Sequence, residues 1–258
     1  MFPRSRSGHD CDSTSPFIMK FQTLSAIVLL SGTLLAAEPG APGNGSLFNG
    51  RDLSGWQAPT GTWSVVSAVA LDPANPKGFA STPGEGVLVN TLSGKGVDFK
   101  TEAEFGDSQI HVEFCVAKDS NSGVYVQGRY EVQILDSHGK ANVGVHDCAA
   151  IYERWKDAEK KGYEGTAPSV NASKAPGEWQ SFDITFTAPK FDSTGKKTAN
   201  AKFVKVVHNG TVVHENIELT GPTRGGGDVE KATGHIRLQG DHGPVAFRNL
   251  TVKPLPSK

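Results

Sequence analysis

Cysteine, surplus charge and long apolar runs are all scarce in this chain, and each shortage removes a class of protein. Three cysteines in 258 residues, Cys11, Cys115 and Cys148, are too few and too widely spaced for a disulfide scaffold. The absence of any Cys-x-x-Cys or His-x-x-x-His spacing removes a structural zinc site. Cys115 and Cys148 are therefore read as buried free thiols rather than as a pair. The net charge is -1, from 26 basic and 27 acidic residues, so no overall field favours a polyanion and nucleic acid is not expected as a partner. No nucleophile elbow, P-loop or dinucleotide fingerprint occurs, because Gly225-Gly226-Gly227 lacks the helix those sites need after it. That stretch reads as a mobile loop.

The one long apolar run, Leu24 to Ala37, follows Met19-Lys20 and ends in small residues before Glu38. It is shorter than the ~20 residues of a membrane span and has the basic start and small-residue end of a secretory signal. Residues 1–37 are accordingly an N-terminal extension and signal peptide starting at Met19, which sets Cys11 aside. Residues 38–45 form a Pro-, Gly- and Ala-rich flexible leader, and 46–258 a single domain with no transmembrane span. The expected destination is the periplasm or the exterior.

What the chain does contain is turn-forming residues and alternation. With 30 glycines, 15 prolines and 37% apolar residues, it favours many short strands over helices. Ile110, Val112, Phe114 and Val116 alternate with His111, Glu113 and Cys115; Phe182, Ile184 and Phe186 repeat the pattern, as do Ile236 and Leu238 against His235, Arg237 and Gln239. Asn209-Gly210 between Phe203–His208 and Thr211–His214 predicts a hairpin with a two-residue turn. Arg154 to Gly162, where Lys156, Lys160 and Lys161 interleave with Asp157 and Glu159, is the one segment that reads as a short solvated helix. Trp56 and Trp63 read as core or edge packing. The whole predicts an all-β sandwich of two antiparallel sheets.

The segment Asn121 to Asp136 is the most informative. Val124 and Val126 alternate with Tyr125 and Gln127, and Val132 and Ile134 with Glu131 and Gln133. With Arg129, the polar side offers an aromatic ring, amides, a guanidinium and a carboxylate, which suit a polyhydroxylated ligand. A solvated outer face would show the same alternation. In Gln239-Gly240-Asp241-His242-Gly243 the glycines permit a bend that presents a carboxylate beside a histidine, a pairing able to move protons near neutral pH. A long loop region after Gly144 contributes Tyr152, Asn171 and Lys174 as rim contacts. Asp52, Asp98, Asp107 and Asp119 read as turn carboxylates that cap backbone amides.

In order along the chain, Leu47-Phe48-Asn49-Gly50-Arg51-Asp52-Leu53-Ser54-Gly55-Trp56, Asn121–Tyr125, Tyr130–Asp136, Ala150-Ile151-Tyr152, Gly177-Glu178-Trp179, Leu238–Gly243 and Phe247-Arg248-Asn249-Leu250 resemble the 3-keto-disaccharide hydrolase family. The resemblance implies a concanavalin A-like jelly roll, and chemistry on glycosides oxidised to a ketone at sugar carbon 3. The ketone acidifies the proton on carbon 2. A base removes it, the aglycone leaves carbon 1 by elimination, and water adds to the enone. By that resemblance either Glu131 or His242 is the proton-transfer residue, Arg129 and Gln133 lie near the oxyanion, and Gln239, Asp241 and Tyr125 position hydroxyls. No cofactor is required; a divalent metal could polarise the ketone, yet no ligand set demands one. The alternative is a non-catalytic carbohydrate-binding jelly-roll module that uses the same polar face to hold a glycan.

Overall fold

Alternation turns the apolar runs of this chain into strands, and the strands stack as antiparallel sheets with their apolar sides together. The structure is a computed structural model that describes residues 45–58, 60–227 and 229–256. The expected secretory segment and the leader up to Asn44 lie outside the described residues. In chain order the strands are β1 (Ser64–Asp72), β2 (Asn75–Val89), β3 (Phe99–Phe105), β4 (Ser108–Val116), β5 (Asn121–Val126), β6 (Tyr130–Leu135), β7 (Arg154–Lys156) and β8 (Lys161–Tyr163). They continue with β9 (Gln180–Thr187), β10 (Lys190–Phe191), β11 (Lys197–Ala199), β12 (Ala201–His208), β13 (Thr211–Leu219), β14 (Gly234–Leu238) and β15 (Val245–Pro254).

The larger sheet runs β1-β2-β15-β4-β9-β12-β13 and the smaller β3-β14-β5-β6, while β7-β8 and β10-β11 are separate two-stranded ribbons. This is the expected jelly-roll sandwich. Ile110, Val112, Phe114, Phe182, Ile184, Phe186 and Phe203 of the larger sheet face Val124, Val126, Val132, Ile134, Ile236 and Leu238 of the smaller one. Each such fully buried side chain stabilises the fold by about 1.5–3 kcal/mol. Trp56 and Trp63 stack on Phe99 with ring centroids 4.6 and 5.2 Å apart, and their indole N–H groups donate to Leu47 O and Val97 O. The described chain joins the fold at once, since Val252 N–H donates to Gly45 O at 2.7 Å.

Asn209 and Gly210 take φ of 50° and 82°, closing the β12–β13 hairpin with the two-residue turn that Asn-Gly predicts. One expectation fails. The Arg154–Gly162 segment is not helical but the β7–β8 ribbon, and no helix occurs among the described residues, so none is long and apolar enough to cross a membrane. Interleaved charges suit any solvated element. Within the ribbon Gly162 approaches the Glu153 carboxylate so closely that a Cβ there would fall 1.9 Å from it. Cys115 lies on the side of β4 opposite the main core, as its alternation with Phe114 and Val116 predicts, and is buried there with Val66, Phe79, Val87, Val89, Ala117 and Ala246 in a second apolar cluster on the larger sheet. Both described cysteines are free and buried, and burial pushes the Cys115 thiol up to about 12 and Cys148 up to about 11.

Candidate functional site

The outward side of the smaller sheet carries two rows of polar side chains, set by strand register. In the first row Arg237 of β14 pairs with Tyr125 of β5, which pairs with Glu131 of β6. The row is extended by Tyr152, whose N–H donates to Glu131 O at 3.1 Å along a segment that adds itself to the β6 edge. In the second row Gln133 pairs with Gly123, and Gln239 N–H donates to Gly123 O at 2.9 Å. Gly123 is a gap in that row, and the Glu131 side chain leans over it. A Cβ there would fall 2.2 Å from Glu131 Oε1.

Loops wall the rows into a cavity of about 330 Å³, within the range of small-ligand sites. Thr223 staples one wall, its Oγ1 donating to Arg129 O at 3.0 Å and accepting from Glu131 N–H at 3.1 Å. Arg224 and Gly225 thereby stand over Tyr125, whose hydroxyl donates to Arg224 O at 3.3 Å. The glycine run is thus pinned rather than mobile, with Gly227 N–H donating to Gly128 O at 3.1 Å. The opposite wall is the Gly240 bend. Asn90 Nδ2 donates to Gly240 O at 2.6 Å, and Gly240 has no room for a Cβ, which would meet Val97 O at 2.0 Å.

The electrostatics centre on Glu131, which is 2% exposed. Burial pushes its carboxyl up to about 8; the Tyr125 hydroxyl and the Arg237 charge pull against this, and the neighbouring Asp98 and Asp241 add to it. Arg237 is fixed in place: Nη1 donates to Asp98 Oδ2 at 2.9 Å, Nη2 donates to Gly225 O at 2.7 Å, and the guanidinium lies 3.7 Å from the Tyr125 ring centroid. Burial raises the Tyr152 phenol, Glu131 raises it further, and Arg224 draws it back. His242 Nδ1 is hydrogen-bonded to Asp241 Oδ1, and both side chains are about half exposed. Asn121 Oδ1, Gln133 Oε1 and Gln239 Oε1 are buried acceptors with no hydrogen-bond partner among the described residues. The Gln133 amide is oriented by its Nε2, which donates to His146 O at 3.4 Å.

Of the residues expected from the sequence, the cavity gathers Tyr125, Glu131, Gln133, Tyr152, Gln239, Asp241 and His242. Four lie elsewhere. Gln127 and Arg129 belong to the reversal between β5 and β6, where Gln127 and Gly128 adopt φ of 56° and 66° and strand alternation stops. Their side chains tie down neighbouring backbone, Gln127 Nε2 donating to Phe105 O and Ala232 O, and Arg129 to Val229 O and Thr233 O. Asn171 Nδ2 donates to Ser137 O and Lys140 O, and Lys174 Nζ to Trp179 O, so both brace loops instead of lining the cavity. Sequence reasoning missed Asp98, Asn121, Arg224 and Arg237 as lining residues. Arg237 was legible, because it occupies the polar side of the Ile236–Leu238 alternation. Asp98 is more than a turn carboxylate, since it holds Arg237 and accepts from Gly240 N–H at 3.1 Å. Among the described residues no group of three or more His, Cys, Asp or Glu side chains is arranged to hold a metal ion.

The family model of the 3-keto-alpha-glucoside-1,2-lyase-like domain matches residues 43–253. The chain belongs to that family. A solved candidate glycosyl hydrolase from Parabacteroides distasonis ATCC 8503 is 30% identical, with 81% of this chain and 83% of that one covered and a TM-score of 0.59. A second candidate glycosyl hydrolase from the same organism, 21% identical, covers 81% of this chain and 98% of its own at a TM-score of 0.53, and shares the fold. No curated protein matches the chain.

Proposed function

We propose that this domain is a glycoside-acting enzyme that cleaves 3-keto-glycosides, with Glu131 as the base. The observation that carries the reading is the cavity's combination of one buried carboxyl of raised pKa with unpaired amide acceptors around it. Unpaired buried acceptors each cost about 1–3 kcal/mol, which hydroxyl donors of a sugar would offset. Family membership and the glycosyl hydrolase relative support a carbohydrate substrate. An ordinary glycosidase would place a second carboxyl across the scissile bond as acid or nucleophile. Of the two other carboxylates in the cavity, Asp98 is committed to Arg237 and Gly240 and Asp241 is paired with His242 at the half-exposed mouth, which favours chemistry with a single acting carboxyl.

In the proposed sequence the Glu131 carboxylate takes the proton from sugar carbon 2, and the electron pair moves toward the carbon 3 ketone to give an enolate. The Arg237 charge, fixed by Asp98, stabilises that oxyanion. Collapse of the enolate forms the double bond between carbons 1 and 2 and expels the aglycone oxygen, which receives a proton from the Tyr152 hydroxyl. Water then adds across the enone: its hydroxyl goes to carbon 1 and its proton to the Tyr152 phenolate, while Glu131 returns its proton to carbon 2, which restores both side chains. A carboxyl with a pKa of about 8 is a stronger base when ionised than an ordinary one, so kcat/KM should rise with pH toward that value. His242, half exposed beside Asp241, contacts sugar hydroxyls at the cavity mouth.

The test is to incubate the purified domain with a 3-keto-glucoside of a chromogenic phenol and follow phenol release. Release that rises with pH toward about 8 is expected. Tight binding with no release above background would overturn the enzyme and favour a carbohydrate-binding module on the same face.

A further inference from the structure

A second cleft of about 430 Å³ adjoins the cavity, and Arg224 and Gly225 line both. Its far side is the β7–β8 ribbon, through Arg154, Trp155, Asp157 and Tyr163. Resting on the reading of the cavity as a 3-keto-glycoside site, we infer that this cleft is the leaving-group subsite and that Arg224 makes it selective for aglycones bearing a carboxylate.

The aromatic faces in the cleft are already in use. The Arg224 guanidinium lies 3.8 Å from the centroid of the Trp155 ring, while Arg154 and Lys156 lie 5.0 and 5.3 Å from that of Tyr163. A sugar or aryl ring gains little by stacking there. What the cleft offers instead is the edge of a guanidinium. Most cations around both cavities have acceptors: Arg154 Nη1 donates to Glu164 Oε2 and Thr220 Oγ1, Lys156 pairs with Glu159, and Arg237 with Asp98. The Arg224 side chain has no acceptor among the described residues. Stacking on indole uses the face of a guanidinium and leaves its in-plane N–H donors free. Trp155 thus fixes the plane of a two-pronged donor, and the matching acceptor is a carboxylate. The Arg224 backbone is also held, its N–H donating to Glu153 O at 2.7 Å and its carbonyl accepting from Tyr125. The fork is therefore set at the boundary between the sugar cavity and the space that the aglycone would enter.

The test compares two 3-keto-glucosides, of 4-hydroxybenzoate and of its methyl ester, which differ by one negative charge on similar phenols. Wild-type protein should show kcat/KM higher by about 10-fold for the acid, as for a charge-assisted bidentate contact. The preference should shrink with added salt because Arg224 is exposed. Arg224→Gln should abolish the preference, and Trp155→Ala, which keeps the charge and loses the plane, should weaken it. The same ranking should appear in the inhibition constants of the two free phenols, or in calorimetric binding where turnover is absent. Equal values for acid and ester in the wild type, or a preference that survives Arg224→Gln, would overturn the subsite. Binding preference without turnover of either glucoside would overturn the proposed reaction and leave the subsite standing.

Discussion

The outward sides of the two sheets carry similar side chains and do opposite things. On β4 of the larger sheet, His111 Nδ1 is 2.7 Å from Asp183 Oδ1, and Glu113 accepts from Arg248 Nε at 2.6 Å and Asn249 Nδ2 at 2.7 Å. Burial pushes Glu113 up, but the hydrogen bonds from Asn249 and Arg248 outweigh it and hold the carboxyl below its usual range. On β6 of the smaller sheet, Glu131 sits under loop walls with fewer partners, and burial wins. The larger sheet's polar residues satisfy one another in partial contact with solvent. Those of the smaller sheet are buried with bonding capacity left over, as expected where binding or chemistry is done at some cost in stability.

Substitutions on the two sheets should break this symmetry in rate and in stability. Glu131→Gln should lower turnover of a 3-keto-glucoside by about 100-fold or more, as for loss of a general base, with the fold retained by circular dichroism. Gly123→Ala should lower it by roughly 10-fold or more, because the added methyl would displace the Glu131 carboxylate by an ångström or more. The same change at Gly106, where φ is not positive and a Cβ would make only an ordinary contact, 3.4 Å from Ala232 O, should leave turnover unaltered.

Stability should respond in the reverse sense. The folded-state pKa of Glu131 is raised from 4.5 to about 8, so its protonated form stabilises the fold below 4.5 and that contribution is lost as pH rises through about 8. Glu131→Gln removes this loss. Its stability relative to wild type should climb between those pH values by a few kcal/mol, on the order of 1.4 per unit, as read by urea unfolding. A flat difference across that range would mean that Glu131 is ionised without penalty. On the larger sheet, His111→Ala should change stability by no more than about 0.5 kcal/mol and leave turnover unaltered.

The strands were legible because apolar residues recur at every second position, as in Phe182, Ile184 and Phe186, and the Asn209-Gly210 turn because its residues tolerate positive φ. Alternation also put Tyr125, Glu131 and Gln133 on one side of the sheet, where they lie. It could not show that this side is covered while that of His111 and Glu113 is not, since cover comes from loops distant in sequence. Thr223 and Arg224 reach β6 only through tertiary hydrogen bonds. Gln127 and Arg129 were misplaced for a local reason, since alternation ends where the reversal begins at Gln127. Asn171 and Lys174 went astray because an amide or ammonium in a long loop serves a backbone carbonyl as readily as a ligand. The ribbon at Arg154–Tyr163 was read as a helix because its charges follow solvent exposure, which both structures share.

Hydrogen exchange at sugar carbon 2 reports whether Glu131 acts there as the base, without waiting for the aglycone to leave. A 3-keto-glucoside with a poor leaving group, such as the methyl glycoside, is incubated in deuterium oxide with wild-type and Glu131→Gln protein and followed by proton NMR. Wild-type protein should erase the carbon 2 proton signal, faster as the pH approaches about 8, and Glu131→Gln should slow the loss by about 100-fold or more. Equal exchange rates in the two proteins would contradict that role for Glu131.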